Sequence, residues 1–165
     1  MHRMDKDSTE KEALSVFLAA QRASVLAVVA GLDTQALTTA VLPSGWTPLG
    51  LVEHLGYAER HWFQEVIRGK AEPLDWPEPP VRLTTPRPPE TVFAFYADQC
   101  RISDEVLACT PLSSLTMGRH PEPMGAELDD VRGVVLHMIE ETARHAGHLD
   151  AVRELIDGRT GLGPR

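Results

Sequence analysis

The residues best suited to chemistry lie in the stretch from Val131 to Leu155. Successive members follow one another at spacings of three and four, which places them on one face of an α-helix. That stripe consists of Val131, Val134, Met138, Glu141, His145, His148, Val152 and Leu155. Its three titratable members occupy positions where packed helices usually carry leucine or isoleucine. Burying them unpartnered would cost several kcal/mol, roughly the penalty for unpaired polar groups. A metal ion is the simplest compensation.

A metal site needs ligands from more than one helix. Glu141 and His145 are four residues apart, so both can reach one ion from the same face. His54 is the best-placed histidine elsewhere in the chain. Two histidines and a glutamate with open coordination positions are typical of a catalytic zinc site, although manganese, iron or nickel can use the same donors. His148 could be a further ligand, a partner of a ligand, or a proton carrier.

Each of these residues also has a purely structural interpretation. Glu141 could pair with Arg144 or with a protonated His145 on an exposed helix face, and His54 could be a hydrogen-bonded core residue. The remaining histidines considered are interpreted as surface or packing residues: His61, His120 and His137. A dinuclear carboxylate site is disfavoured because no histidine has a glutamate three residues before it. The HExxH metalloprotease pattern is also absent from the sequence.

The elements that must position these residues are four predicted helices, over about residues 9–32, 47–68, 90–109 and 129–157. Thr9 and Glu12 have the spacing of a capping box, and Thr47-Pro48 is a strong helix start. Gly69 and Gly158 are natural helix ends. Seven prolines between residues 73 and 89 exclude a helix and predict an extended crossover between the second and third helices. The expected fold is one all-α domain over residues 1–165, a four-helix bundle.

Composition narrows the classes of partner. The 165-residue chain carries a formal net charge of -8 and shows no basic run, which argues against nucleic-acid and anionic-membrane partners. Cys100 and Cys109 are too few for a disulfide framework and are expected to be small apolar packing residues on the third helix. The N-terminal stretch lacks an apolar signal-peptide core. We therefore expect a soluble, cytoplasmic protein.

Two stretches resemble the DinB-like superfamily of metal-binding four-helix bundles. They are SGWTPLGLVEHLGYAERHWF (44–63) and HMIEETARHAGHLDAVRELIDG (137–158), and they are most similar to the DUF664 branch of mycothiol S-transferase-like proteins. The resemblance implies a metal triad of His54, Glu141 and His145. Many members have histidine at the position of Glu141, but the combination here is similar to the zinc site of mycothiol-dependent maleylpyruvate isomerase.

The resemblance also implies a reaction. A zinc-bound low-molecular-weight thiol such as mycothiol would attack a small electrophile, giving conjugation, or isomerisation if the thiol is later released. His148 or Tyr57 could carry protons in such a reaction. Relatives are often homodimers. Two alternatives stay open: a non-catalytic, metal-binding DinB-like stress-response protein, and a helical interaction module whose histidines are structural.

Overall fold

The computed structural model describes residues 2–75, 83–121 and 128–161, and within them the chain is all-helical apart from one isolated β-bridge between Leu115 and Asp130. The helices are α1 (His2–Val29), α2 (Thr34–Thr38), α3 (Pro48–Glu59), α4 (Pro89–Cys109) and α5 (Val131–Asp157). α3 continues without a break into a π-helical segment, Arg60–Ile67. The predicted all-α class is confirmed.

Local capping explains where the site-bearing helices begin and end. The Thr47 hydroxyl accepts a hydrogen bond from the Gly50 N–H at 3.1 Å, with Pro48 at the first helical position. Asp130 caps α5 by accepting from the Gly133 N–H at 2.7 Å. Gly158 ends α5 with φ +77°, a left-handed conformation that glycine adopts without strain. These predicted boundaries are confirmed to within two residues.

Two predicted boundaries are wrong. α1 begins at His2, so Thr9 lies inside the helix and is not its cap. The polar residues before Thr9 include good helix formers, and helix propensity there prevails over the local capping pattern. The stretch between the first two predicted helices, expected to contain no helix, includes α2, whose start is capped by Asp33 accepting from the Ala36 N–H at 2.8 Å.

The proline-rich segment is only partly described. Residues 70–75 and 83–88 contain neither helix nor strand, as the prolines require. Residues 76–82 lie outside the described part of the chain, and so does the stretch 122–127 of the loop before α5. Gly50 shows how closely the later part approaches α3, because a Cβ atom there would lie 1.9 Å from the Leu83 carbonyl oxygen.

The core lies between α1 and α5 on one side and α3 and α4 on the other. Buried apolar side chains form two groups along the helices. The group near the π-helical segment includes Leu18, Trp62, Phe63, Val66, Val106, Val134 and Met138. The group toward the start of α3 includes Val25, Leu49, Val52, Leu55, Val92, Tyr96 and Leu149.

A buried ion pair ties α1 to α3. Within α1, the run Thr9–Val29 is long and apolar enough to cross a membrane by length and composition alone. Its Arg22, however, is buried and donates to both carboxylate oxygens of Glu59, at 2.8 and 2.7 Å. A third bond runs to Asp104 of α4 at 2.6 Å. Although burial opposes the charge, these bonds raise the pKa of the guanidinium. In this structure α1 is therefore anchored by a paired charge against other helices.

Candidate metal centre

The structure brings His54, Glu141 and His145 together. His54 comes from α3, and the other two lie one turn apart on α5. Glu141 Oε1 lies 3.0 Å from His145 Nε2 and 3.2 Å from His54 Nε2. One donor atom from each residue lies within 4.8 Å of the others. The imidazole rings of the two histidines are 5.0 Å apart and nearly perpendicular, at 80°. Their role as metal ligands stays a prediction.

The three titratable members of the stripe are less buried than its pattern predicts. Glu141 and His145 are partly buried and His148 is exposed. By contrast, the buried residues in this part of α5 are Thr142, Ala146 and Leu149. Leu155, the last member of the predicted stripe, is 63% exposed. A stripe drawn at an average spacing of 3.5 residues drifts by roughly 20° per seven residues on a straight helix. Over α5 that drift turns Leu155 out of the core. Of the ionisable members of the stripe, Glu141 lines a cavity.

Hydrogen bonds from His145 and His54 hold the pKa of Glu141 well below its usual range, against the opposing effect of burial. Glu141 is thus a carboxylate at neutral pH, the form that binds cations. The alternative pairing with Arg144 is wrong, because Arg144 forms its ion pair with the neighbouring Glu140. Of the two pairings considered for Glu141, the structure shows the one with His145.

The donor atoms suit a divalent cation. Zinc–nitrogen and zinc–oxygen bonds are about 2.0–2.2 Å long, so two ligand atoms on one tetrahedral ion lie roughly 3.3 to 3.6 Å apart. The 3.0 and 3.2 Å separations around Glu141 Oε1 are hydrogen-bond distances, and small side-chain shifts would widen them to that range. Two imidazoles and a carboxylate are also a donor set that binds zinc in enzymes. The residues present therefore fit the group that the sequence predicts.

His148 lies behind His145. Its Nδ1 is 3.3 Å from His145 Nδ1, whereas His145 Nε2 faces Glu141. His148 is exposed and contacts the side of the His145 ring that points away from the carboxylate. Of the three roles considered for His148, this geometry favours a partner that orients a ligand. Tyr57 lies one turn after His54 on α3, on the wall of the adjoining cavity.

That cavity has a volume of about 310 Å³ and extends along α3 away from the triad. Its wall consists of His54, Tyr57, Ala58, His61, Trp62, His120, His137 and Glu141. The three histidines interpreted from sequence as surface or packing residues thus line the same space as two of the triad. The pKa values of His120 and His137 are lowered, chiefly by burial, so both side chains are neutral imidazoles at neutral pH.

Sequence reasoning missed this second group of histidines. His61 and Glu65 are four residues apart, a spacing that indicates a contact on a helix, and the structure shows it at 2.8 Å. His120 lies in the loop after α4, where no periodicity indicates which residue it approaches. The cysteines also differ from expectation, because Cys109 is exposed and only Cys100 is partly buried. Burial raises the pKa of the Cys100 thiol to about 12, which makes it a poor nucleophile.

Comparison with known protein families places these residues in context. The family model described as Mycothiol-S-transferase matches residues 13–158, a span that includes every residue of the triad and of the cavity wall. A comparison with curated proteins gave no significant match.

Proposed function

We propose that this chain, which belongs to the mycothiol S-transferase family of the DinB-like superfamily, is a metal-dependent enzyme that joins a low-molecular-weight thiol to small electrophiles. Mycothiol is the thiol that the family's name indicates. The observation that carries the proposal is the grouping of His54, Glu141 and His145 beside a cavity large enough for a small molecule.

His54, Glu141 and His145 would hold a divalent cation, with zinc the best match to the donor set and nickel, iron or manganese as alternatives. When bound, the cation would favour the nucleophilic thiolate form of the thiol. Transfer would join the sulfur to an electrophilic carbon, and that carbon would either lose its leaving group together with its bonding electron pair or give up one bond of a double bond. The thiol proton would pass to the leaving group or to the adduct, so that the step balances. The carboxylate of Glu141 supplies the one negative charge in the triad. His148 keeps the ring of His145 oriented.

Two residues would handle protons in this reaction. His148 is exposed, so a proton that reaches its ring can pass directly to solvent. Tyr57 lies on the cavity wall beside His54 and is suited to hydrogen-bond an oxygen of the electrophile. Isomerisation, in which the thiol adds and later leaves, would use the same residues. The electrophile would occupy the cavity between Tyr57 and the histidines at its far end.

The finer architecture is part of the proposal. We take α1, α3 with its π-helical segment, α4 and α5 to form a four-helix bundle of DinB type, with the proline-rich segment as the crossover from α3 to α4. We propose a cytoplasmic location, and the net charge of -8 argues against nucleic-acid and anionic-membrane partners. Three exposed apolar side chains on α1, Val16, Phe17 and Leu26, support a homodimer.

Elemental analysis of the purified protein tests the ligand set. Near-stoichiometric zinc or nickel is expected in the wild type, with loss in Glu141→Gln and in His145→Ala. Glu140→Gln is the matched control, because Glu140 is the adjacent carboxylate and is exposed. Equal metal content in all variants would refute the ligand assignment.

An activity assay then tests the reaction. Loss of free mycothiol in the presence of an alkylating electrophile is expected to depend on the metal and to disappear in Glu141→Gln but not in Glu140→Gln. Metal retained without any consumption of thiol would contradict the transferase and support a non-catalytic metal-binding protein. Absence of metal after reconstitution would leave the triad as a polar network and would refute both the transferase and the non-catalytic metal-binding protein.

A further inference from the structure

A second pair of histidines meets at the far end of the cavity. His61 comes from the π-helical segment and His120 from the loop after α4. His61 Nε2 lies 2.9 Å from His120 Nδ1, and the two rings are 5.1 Å apart at 75°. The triad's own histidines have almost the same relation, with rings 5.0 Å apart at 80°. The second pair therefore repeats the ring arrangement of the candidate metal centre.

Glu65 sets the orientation of the His61 ring. Its Oε2 lies 2.8 Å from His61 Nδ1, and since a carboxylate only accepts, Nδ1 carries the proton. Nε2 of the neutral ring is then left with a lone pair that points toward His120. In metal-binding histidines the ring N–H that faces away from the metal almost always donates to a carboxylate, a backbone carbonyl or a water. His61 is thus held as a ligand would be.

Backbone hydrogen bonds fix the position of the loop that carries His120. The Gly118 N–H donates to the Val66 carbonyl at 2.8 Å, and the Met117 N–H donates to the Ile67 carbonyl at 3.2 Å. A Cβ atom on Gly118 would lie 2.1 Å from the Glu65 carbonyl oxygen, so only glycine allows this approach. The His120 ring also stacks on Trp62 at 4.8 Å and 22°. The loop therefore delivers His120 to a defined place beside His61.

From this geometry we propose that His61 Nε2 and His120 Nδ1 bind a second divalent cation, of the kind that prefers imidazole, such as Zn²⁺, Ni²⁺ or Cu²⁺. The site faces the same cavity as His54 and Glu141. Its other coordination positions are open to water or to an oxygen of a molecule bound there. With two protein ligands against three, it is weaker than the triad site. The proposal does not depend on thiol transfer.

Calorimetric titration of the metal-free, full-length protein with Zn²⁺ tests this site. The wild type is expected to bind a tight and a weaker equivalent. Glu141→Gln/His145→Ala removes the tight one and keeps the weaker one. His120→Gln removes the weaker equivalent and keeps the tight one. Glu65→Ala, at an exposed position, should weaken the second equivalent by roughly 10- to 100-fold, the effect of losing a carboxylate behind a ligand. Glu140→Gln is the matched control, because Glu140 is an exposed carboxylate outside both sites and its loss should leave both equivalents unchanged.

Titration with Co²⁺ gives an independent readout, since its visible absorption reports nitrogen coordination. The triad-deficient variant should develop a histidine-type spectrum that Glu65→Ala weakens. Circular dichroism of each variant tests whether the helices are retained. If His120→Gln does not fold, Glu65→Ala takes its place as the variant that weakens the second site. A single equivalent in the wild type, with none in the triad-deficient variant, would overturn the proposal. The two histidines would then share only a hydrogen bond. Failure of the triad site alone would leave the weaker equivalent intact.

Discussion

Replacing Arg22 by methionine should destabilise the protein by roughly 3–5 kcal/mol, the cost of removing one partner from a buried ion pair. The structure assigns most of that loss to Glu59, whose side chain is 1% exposed and would keep a buried charge without its partner. Asp104 contributes little because its side chain is 66% exposed and water can replace the guanidinium. For a protein of this size the loss corresponds to a fall in Tm of roughly 6–20 °C.

Thermal and urea unfolding at pH 7, followed by circular dichroism, measure the effect. Asp104→Asn is the control and should cost about 0–1 kcal/mol. The double variant Arg22→Met/Glu59→Met removes both charges from the core, so it should recover most of the stability lost in the single variant. If Arg22→Met is no more destabilising than Asp104→Asn, or if the double variant is less stable than Arg22→Met, the reasoning about Glu59 is refuted.

Three further predictions follow from the site and its surroundings. Gly118→Ala should destabilise the protein by about 1–3 kcal/mol, the usual cost of inserting a methyl group into a packed site, and should also displace His120. Thermal unfolding would measure the loss of stability, and Zn²⁺ titration would measure weaker binding at the second site. Unchanged binding at the second site would contradict the prediction. Brief alkylation followed by mass spectrometry should modify Cys109 and spare Cys100, whose thiol is held protonated; equal labelling would be inconsistent with this. In the metal-free protein the folded-state pKa of Glu141 lies below its ordinary value of 4.5, so its contribution to stability is present above that pH and is lost as the pH falls through the folded pKa. Unfolding measured from neutral to acidic pH should therefore show a shallower acid loss in Glu141→Gln, and an identical slope would count against it.

The features that sequence predicted are mainly local. Helix ends are marked by Thr47, Asp130 and Gly158 through contacts within four residues, so their sequence patterns can be recognised without knowledge of the fold. Glu141 and His145 share one helix face, and only His54 had to be assigned across the structure. That assignment gained weight from the family resemblance as well as from the spacing.

The features that sequence missed depend on long-range packing. The contact between His61 and His120 joins a helix to a loop 59 residues away, and no periodicity encodes it. The π-helical segment is another example, because its widened turns arise from packing and have no residue signature of their own. The ion pair of Arg22 is a third example, because its partner Glu59 becomes apparent only when α1 and α3 are placed together.

The triad joins two different helices, α3 through His54 and α5 through Glu141 and His145, so a bound cation acts as a cross-link between them. A ligand that binds only the folded chain stabilises it by RT ln(1 + [L]/Kd), about 2.7 kcal/mol when free metal is a hundred times Kd. On the proposed ligand set, the protein's resistance to proteolysis therefore rises and falls with the free metal concentration. Under metal starvation, the amount of this protein would decline through turnover of the unfolded chain as well as through loss of its activity.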